Sequence, residues 1–294
     1  MDKPYAHRTW QSADGLTLHY RDYAGPDGVS DKPPILCMHG LTRNARDFAT
    51  LADHLGKNWR VIVPEMRGRG RSDYAPDSAT YTPVTYVQDV EALLADQNIN
   101  RFVAIGTSMG GLMTMMMAAG DAMQGRSRIA GAVLNDIGPV IDTGGLDKIR
   151  TYLGQGGSYA TWMHAARALR DVHSAAHPDF DIERWLEMAK RTLVLGQSGR
   201  LVFDYDMAIA EPFKAADENA APPDLWPAFD ALGEVPLLLL RGELSNLLSA
   251  ETAAAMQARK PQMEVVTVPR CGHAPVLDEP ESVAAIDRLL EKIA

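Results

Sequence analysis

The chain has 294 residues, 46% hydrophobic and 23% charged, which is enough apolar side chain for a large buried core in a soluble globular protein. Its 38 acidic residues outnumber 29 basic ones, giving a net charge of -9, a surface that repels phosphate backbones and excludes nucleic acid as a partner. Cys37 and Cys271 are too few for a disulfide scaffold, no apolar run is long enough to span a bilayer, and Met1 to Arg8 lacks the apolar core of a secretory signal, so the expected compartment is the cytoplasm.

Arg8 to Tyr23 reads as a hairpin turning at Asp14-Gly15, and Pro26 to Pro34 as a polar, breaker-rich loop. The apolar run Ile35 to Met38 is a short strand ending in His39-Gly40, and Arg43 to Leu55 reads as a helix. Arg60 to Val63 is the next strand. Pro83 to Asn98 has helical spacing, with Val87, Val90, Leu93 and Leu94 on one face. The strand Phe102 to Ile105 runs into Gly106-Thr107-Ser108-Met109-Gly110-Gly111, and a helix from Leu112 to Met123 follows. Another strand, Ile129 to Leu134, ends at Asn135-Asp136. From about Val140 to Leu232 helical patterns dominate, as in Tyr159 to Ala176 and Ile182 to Leu195, and Pro222-Pro223 closes the block. Strand patterning resumes at Pro236 to Leu240. A helix (Ala250 to Arg259), a strand (Met263 to Val268), Cys271-Gly272-His273 and an amphipathic helix (Glu281 to Ile293) complete the chain.

Continuously apolar strands alternating with helices predict an α/β fold, with a doubly wound, mostly parallel sheet covered on both faces. The helical block predicts a cap inserted over the carboxyl edge of that sheet. The expected division is a core of residues 1–139 and 233–294 and a cap of residues 140–232.

A strand entering G-x-S-x-G is the pattern of a nucleophile elbow. Ser108 must then sit on a tight strand-to-helix turn, and Gly106 and Gly110, without β-carbons, let strand and helix approach. The turn also aims a helix N-terminus at any negative charge that forms beside the serine. Ligands of open parallel sheets bind outside the carboxyl ends of the strands. His39-Gly40, Ser108, Asp136, Asn246 and His273 all follow strands, so they are expected on one rim.

With His39-Gly40, Arg67-Gly68-Arg69-Gly70-Arg71-Ser72, Gly106 to Gly111, Arg241-Gly242 and Gly272-His273 in this order, the chain resembles serine hydrolases of the α/β-hydrolase fold, in the capped, esterase-like branch. The resemblance spans nearly the whole length. It implies Ser108 as nucleophile, His273 as general base and acid, and the backbone N–H groups of Leu41 and Met109 as an oxyanion hole. The Arg67–Ser72 loop would brace the sheet rim, and Met113, Met115, Met116 and Met117 would pack the core. The family's acid usually follows the strand bearing Arg241-Gly242, where this chain has Asn246, an amide that cannot stabilise an imidazolium as a carboxylate does. Asp136 is the alternative acid, and Glu243 a third candidate. His39 and Gly40, with Trp162, Trp185 and Phe203 of the cap, are expected to contact substrate, His39 chiefly as a structural hydrogen-bonding group.

The expected reaction is hydrolysis of carboxylic esters of small to medium apolar substrates through an acyl-enzyme on Ser108, with no cofactor or metal, in a monomer or homodimer. A carbon–carbon bond hydrolase of ring-cleavage products, or a lactonase or thioesterase, would use the same nucleophile. The reading from a different class is a catalytically weakened ligand-binding protein, because Asn246 replaces the expected acid.

Overall fold

The apolar runs pair into one eight-stranded sheet in a computed structural model that describes residues 4–26, 31–215 and 223–293. Residues 27–30 of the expected loop, and Pro222, lie outside the described residues. The strands are β1 (Ala6–Gln11), β2 (Thr17–Tyr23), β3 (Ile35–Met38), β4 (Val61–Glu65), β5 (Phe102–Thr107), β6 (Ile129–Asn135), β10 (Leu237–Gly242) and β11 (Glu264–Val268), in the spatial order β1-β2-β4-β3-β5-β6-β10-β11. β1 and β2 form the expected hairpin, β2 pairs antiparallel with β4, and every pairing from β4 to β11 is parallel.

Alternate side chains of the central strands point to opposite faces, and both faces are buried. Phe102 and Ala104 of β5, Ala132 and Leu134 of β6, and Leu237 and Leu239 of β10 join one apolar core; Val103, Ile105, Val133, Leu238 and Leu240 join the other. Helices α1 (Ala49–Leu55) and α10 (Pro280–Glu291) cover the second face, and α2 (Pro83–Asp96), α3 (Met109–Met123) and α9 (Ala250–Arg259) the first. Met113, Met115 and Met117 are buried in that first core, while Met116 is half-buried. The helix expected from Arg43 begins as a 3-10 turn, Ala45–Phe48, because Asn44 caps the Arg46 N–H with its side chain.

The described residues between β6 and β10 stay out of the main sheet, although those two strands are neighbours in it. They hold α4 (Thr143–Tyr152), α5 (Trp162–His173), α6 (Ile182–Thr192), α7 (Glu211–Ala215) and α8 (Trp226–Asp230). They also hold a three-stranded sheet that the helical patterning hid: β7 (Ser158–Tyr159), β8 (Leu193–Leu195) and β9 (Leu201–Phe203). The helix expected to reach Leu195 stops at Thr192 because Leu193–Leu195 pairs with Leu201–Phe203. Strands of two or three residues are too short to show alternation.

This segment has its own apolar cluster, in which Trp185, Ala165, Ala166, Leu169 and Met188 pack with Trp162 and Phe180. Charged contacts fasten it to the main body. Arg46 meets Asp204 at 2.7 Å, Arg184 meets Asp278 at 2.6 Å, and the Tyr81 hydroxyl donates to Asp206 at 2.6 Å.

Candidate active site

Ser108 occupies the turn between β5 and α3 with φ 52° and ψ -115°. A non-glycine residue in this region carries roughly 1–3 kcal/mol of strain, tolerated where the surroundings enforce it. The enforcement is steric. A β-carbon on Gly106 would lie 2.4 Å from the Gly110 carbonyl group, and one on Gly110 would lie 2.0 Å from the Met38 carbonyl oxygen. Strand, helix and neighbouring strand therefore meet at backbone contact, and only glycine fits between them. The Ser108 carbonyl accepts from Gly111 and Leu112 N–H, so the helix begins at once.

His273 stands on the loop after β11, and its Nε2 lies 2.9 Å from Ser108 Oγ. Its Nδ1 lies 2.8 Å from Asp136 Oδ2. A carboxylate only accepts, so Nδ1 carries the proton and Nε2 is free to accept from the serine hydroxyl. Asp136 follows β6, is fully buried, and has φ 57°. Its Oδ1 accepts from Gly242 N–H at 2.9 Å, and its Oδ2 also accepts from the Ser245 hydroxyl at 2.7 Å. Three donors thus hold this carboxylate in one orientation. Ser245 is a member of the site that motif reading passed over; its hydroxyl also accepts from the Leu247 and Leu248 N–H groups, which fixes its own direction.

Asn246, at the family's usual acid position, is exposed, and Asp136 occupies the place beside His273 instead. The loop after β10 sends Ser245 inward and turns Asn246 out. Glu243 is also exposed, and its carboxylate accepts from Arg270 N–H.

Leu41 lines the cavity beside Ser108, and Met109 follows Ser108 in the chain. Met109 is the first residue of α3, where a helix leaves N–H groups without partners in the helix. Leu41 is held through its peptide. The carbonyl oxygen of Gly40, on the same planar unit as the Leu41 N–H, accepts from His39 Nδ1 at 2.8 Å and from Arg43 N–H at 3.1 Å. His39 Nε2 accepts from Met66 N–H at 3.1 Å, which sets the tautomer. Burial lowers the His39 pKa to about 4, so the ring is neutral at pH 7. His39, expected at substrate, does not line the cavity; it is fully buried and grips the peptide beside the site. Gly40 does line the cavity, and a β-carbon there would project to 3.8 Å from Ser108 Cβ.

The Arg67–Ser72 loop makes internal contacts. Arg67 forms fork-like pairs with Asp89 and Asp14, and Arg69 donates to the carbonyls of Leu41 and Arg67 and to the Tyr86 hydroxyl. Arg69 thus ties this loop to the strand-end turn that carries Leu41.

Ser108 and His273 open into a cavity of about 310 Å3, roughly ten water volumes. Leu169, Val172, Met188, Phe203, Val276 and Leu277 give it apolar lining. Arg43, Tyr152 and His173 give it polar lining. Of the three aromatic residues expected at substrate, only Phe203 lines the cavity. Trp185 is buried within the inserted segment, with Nε1 donating to the Phe180 carbonyl, and Trp162 packs in the same cluster. Their apolar mass holds that segment together rather than facing Ser108. Among the described residues no cluster of His, Cys, Asp and Glu has the arrangement of a metal site, and no helix is long and apolar enough to cross a membrane.

Residues 35–286 match the model of the alpha/beta hydrolase family. The chain belongs to that family. It is 36% identical over 273 residues to a 3-hydroxybutyrate-oligomer hydrolase of Cupriavidus necator, an alignment covering 91% of this chain and 90% of that protein. It is 26% identical over 241 residues to a 2-(acetamidomethylene)succinate hydrolase of Mesorhizobium japonicum, covering 82% and 81% of the two chains. Among solved structures, an alpha/beta hydrolase from Novosphingobium aromaticivorans superposes over 100% of both chains with a TM-score of 0.93 and 58% identity. The fold expected from the strand and helix order is thus the fold of this family.

Proposed function

We propose that this α/β hydrolase cleaves small carboxylic esters through an acyl-enzyme on Ser108. The observation that carries the reading is the continuous line Ser108 Oγ, His273 Nε2, His273 Nδ1 and Asp136 Oδ2, with steps of 2.9 and 2.8 Å, at the mouth of a cavity.

His273 Nε2 takes the hydroxyl proton as Ser108 Oγ attacks the ester carbonyl. The carbonyl oxygen becomes an oxyanion and is met by the N–H groups of Leu41 and Met109, the first held in place by His39 and the second backed by the α3 dipole. Asp136 holds the imidazole in its working tautomer and stabilises the imidazolium that forms. The imidazolium then protonates the departing alcohol. Water repeats the sequence on the acyl-serine and restores the free hydroxyl. The segment between β6 and β10 serves as the cap that closes the cavity, and the Cupriavidus relative's name points to short hydroxyacid esters as a substrate class. The inward-facing Asp136 supports a working enzyme over a weakened binding protein.

The test is turnover of p-nitrophenyl acetate and butyrate by the natural chain and by Ser108→Ala. The natural chain turns both over; the variant keeps its circular dichroism spectrum and loses turnover by at least a thousandfold, since removing the serine of such a triad costs about a millionfold elsewhere. Retained turnover in Ser108→Ala would falsify the nucleophile assignment.

A further inference from the structure

The polar wall of the cavity carries more hydrogen-bond donors than the protein uses. Arg43 spends Nε and Nη2 on Asp47, at 2.6 and 2.7 Å, and Nη1 on the Thr192 hydroxyl at 3.0 Å. A guanidinium has five N–H groups, so one remains on each terminal nitrogen. Tyr152 and His173 pack edge to face, with ring centroids 5.4 Å apart. Neither the Tyr152 hydroxyl nor the His173 ring makes a hydrogen bond with any described residue, and both line the cavity. The charged groups facing this space are Arg43 and Arg191 against Asp47. Arg191 leans back on Asp278 at 3.2 Å, and Asp278 is held chiefly by Arg184 at 2.6 Å. His173, His177 and Tyr152 add no charge at pH 7, because burial lowers the two imidazoles to about 4 and about 3 and raises the phenol to about 12.

The lining is therefore donor-rich, and the Arg43 guanidinium keeps N–H groups beyond those that Asp47 and Thr192 take. Arg43 is also near the chemistry: the point beside Gly40 that lies 3.8 Å from Ser108 Cβ lies 3.5 Å from Arg43 Cγ. A neutral ester of apolar groups would displace water from these donors and leave them unpaired, which is costly. A carboxylate accepts from several donors at once and pairs with guanidinium in a planar fork.

We propose that Arg43, with Tyr152 beside it, determines specificity by binding a free carboxylate on the substrate, so that the favoured esters are those of small hydroxy acids or half-esters of dicarboxylic acids. This rests on the ester-hydrolase reading for the reaction and replaces the purely apolar substrate expected from the aromatic residues of residues 140–232. The Arg43–Asp47 pair keeps the guanidinium in place before substrate arrives.

The experiment measures binding of 3-hydroxybutyrate and of 3-hydroxybutyramide, equal in size and differing in charge, by calorimetry at pH 7.5. The natural chain is expected to bind the acid at least tenfold tighter. Arg43→Gln brings the two affinities within about twofold, Arg43→Lys recovers part of the preference, and Tyr152→Phe lowers it severalfold. Equal affinities in the natural chain, tighter binding of the amide, no binding of either, or a preference that survives Arg43→Gln each overturn the proposal. The comparison of acid with amide needs no variant, so it holds even where Arg43→Gln does not fold. Since the readout is binding, an absence of p-nitrophenyl ester turnover would remove the esterase reading separately, and full turnover without preference for the acid would remove this one alone.

Discussion

Asp136 Oδ2 lies 2.8 Å from His273 Nδ1 across 137 residues of chain, bridging the end of β6 to the loop after β11. The pairing runs past β10, which lies between those strands and sends its own backbone, at Gly242, to the other carboxylate oxygen. Exchanging this carboxylate for an amide should be severe. Asp136→Asn is expected to lower kcat on p-nitrophenyl butyrate by about ten-thousandfold, the magnitude of the corresponding change in a serine protease. Asn246→Asp, on an exposed side chain, should change it by less than about twofold. Steady-state kinetics of the two variants check this, and a large gain in Asn246→Asp would move the acid role away from Asp136.

His39 holds the peptide that presents the Leu41 N–H. His39→Phe keeps the ring and removes both hydrogen bonds, so the donor loses its aim. Loss of a whole oxyanion donor costs on the order of a hundredfold or more in turnover. A misdirected one should cost roughly tenfold in kcat, with KM changing less. The measurement is kcat on the folded fraction at low temperature; an unchanged kcat would leave His39 with a purely structural role.

Gly110 and Gly120 share helix α3 and should respond in opposite ways. A β-carbon on Gly110 meets the Met38 carbonyl oxygen at 2.0 Å, whereas one on Gly120 meets nothing within 4 Å. Gly110→Ala is expected to prevent folding or destabilise by at least about 3 kcal/mol, since backbone must move. Gly120→Ala should stabilise by about 0.5–1 kcal/mol, because alanine loses less chain entropy in a helix. Urea unfolding midpoints distinguish the two.

Buried neutral histidines make the fold acid-sensitive. Burial lowers His39 and His173 from 6.5 to about 4 and His177 to about 3. In this range the unfolded chain binds protons that the folded chain refuses, so stability is full above pH 6.5 and falls as pH drops towards 4. Between pH 6.5 and 4.5 each such histidine removes about 2–3 kcal/mol. Asp14, held near 2 mainly by its hydrogen bond to Arg67, acts below that window. Urea midpoints at pH 7.5 and 4.5 should differ strongly in the natural chain and less in His173→Phe; a flat profile would contradict neutral burial.

Much of the architecture was legible because its causes are local. β5 and β10 read as continuous apolar strands since both their faces are covered, and the Ala250–Arg259 helix matches its expected bounds. The hidden strands β7, β8 and β9 are only two or three residues long, and β7 pairs across more than forty residues, Ser158 with Val202; β8 and β9 form a local hairpin around Gly196 and Gly199 that is too short to show alternation. Trp162 and Trp185 show the same limit. An aromatic side chain is equally at home in a small core or against a ligand, and composition cannot say which.

The sequence by itself determined the elbow, since Gly106, Ser108 and Gly110 are neighbours in the chain and their steric demands are met within one turn. It also determined that the strand ends would share a rim, because parallel strands all finish on one side. Only the tertiary structure decided which side chain stands against His273. That depends on β6 and β10 lying side by side and on the loop after β10 turning Ser245 inward and Asn246 out. It decided likewise that His39 faces the core and Arg43 the cavity, since the direction of a side chain at a strand end is set by the elements packed around it.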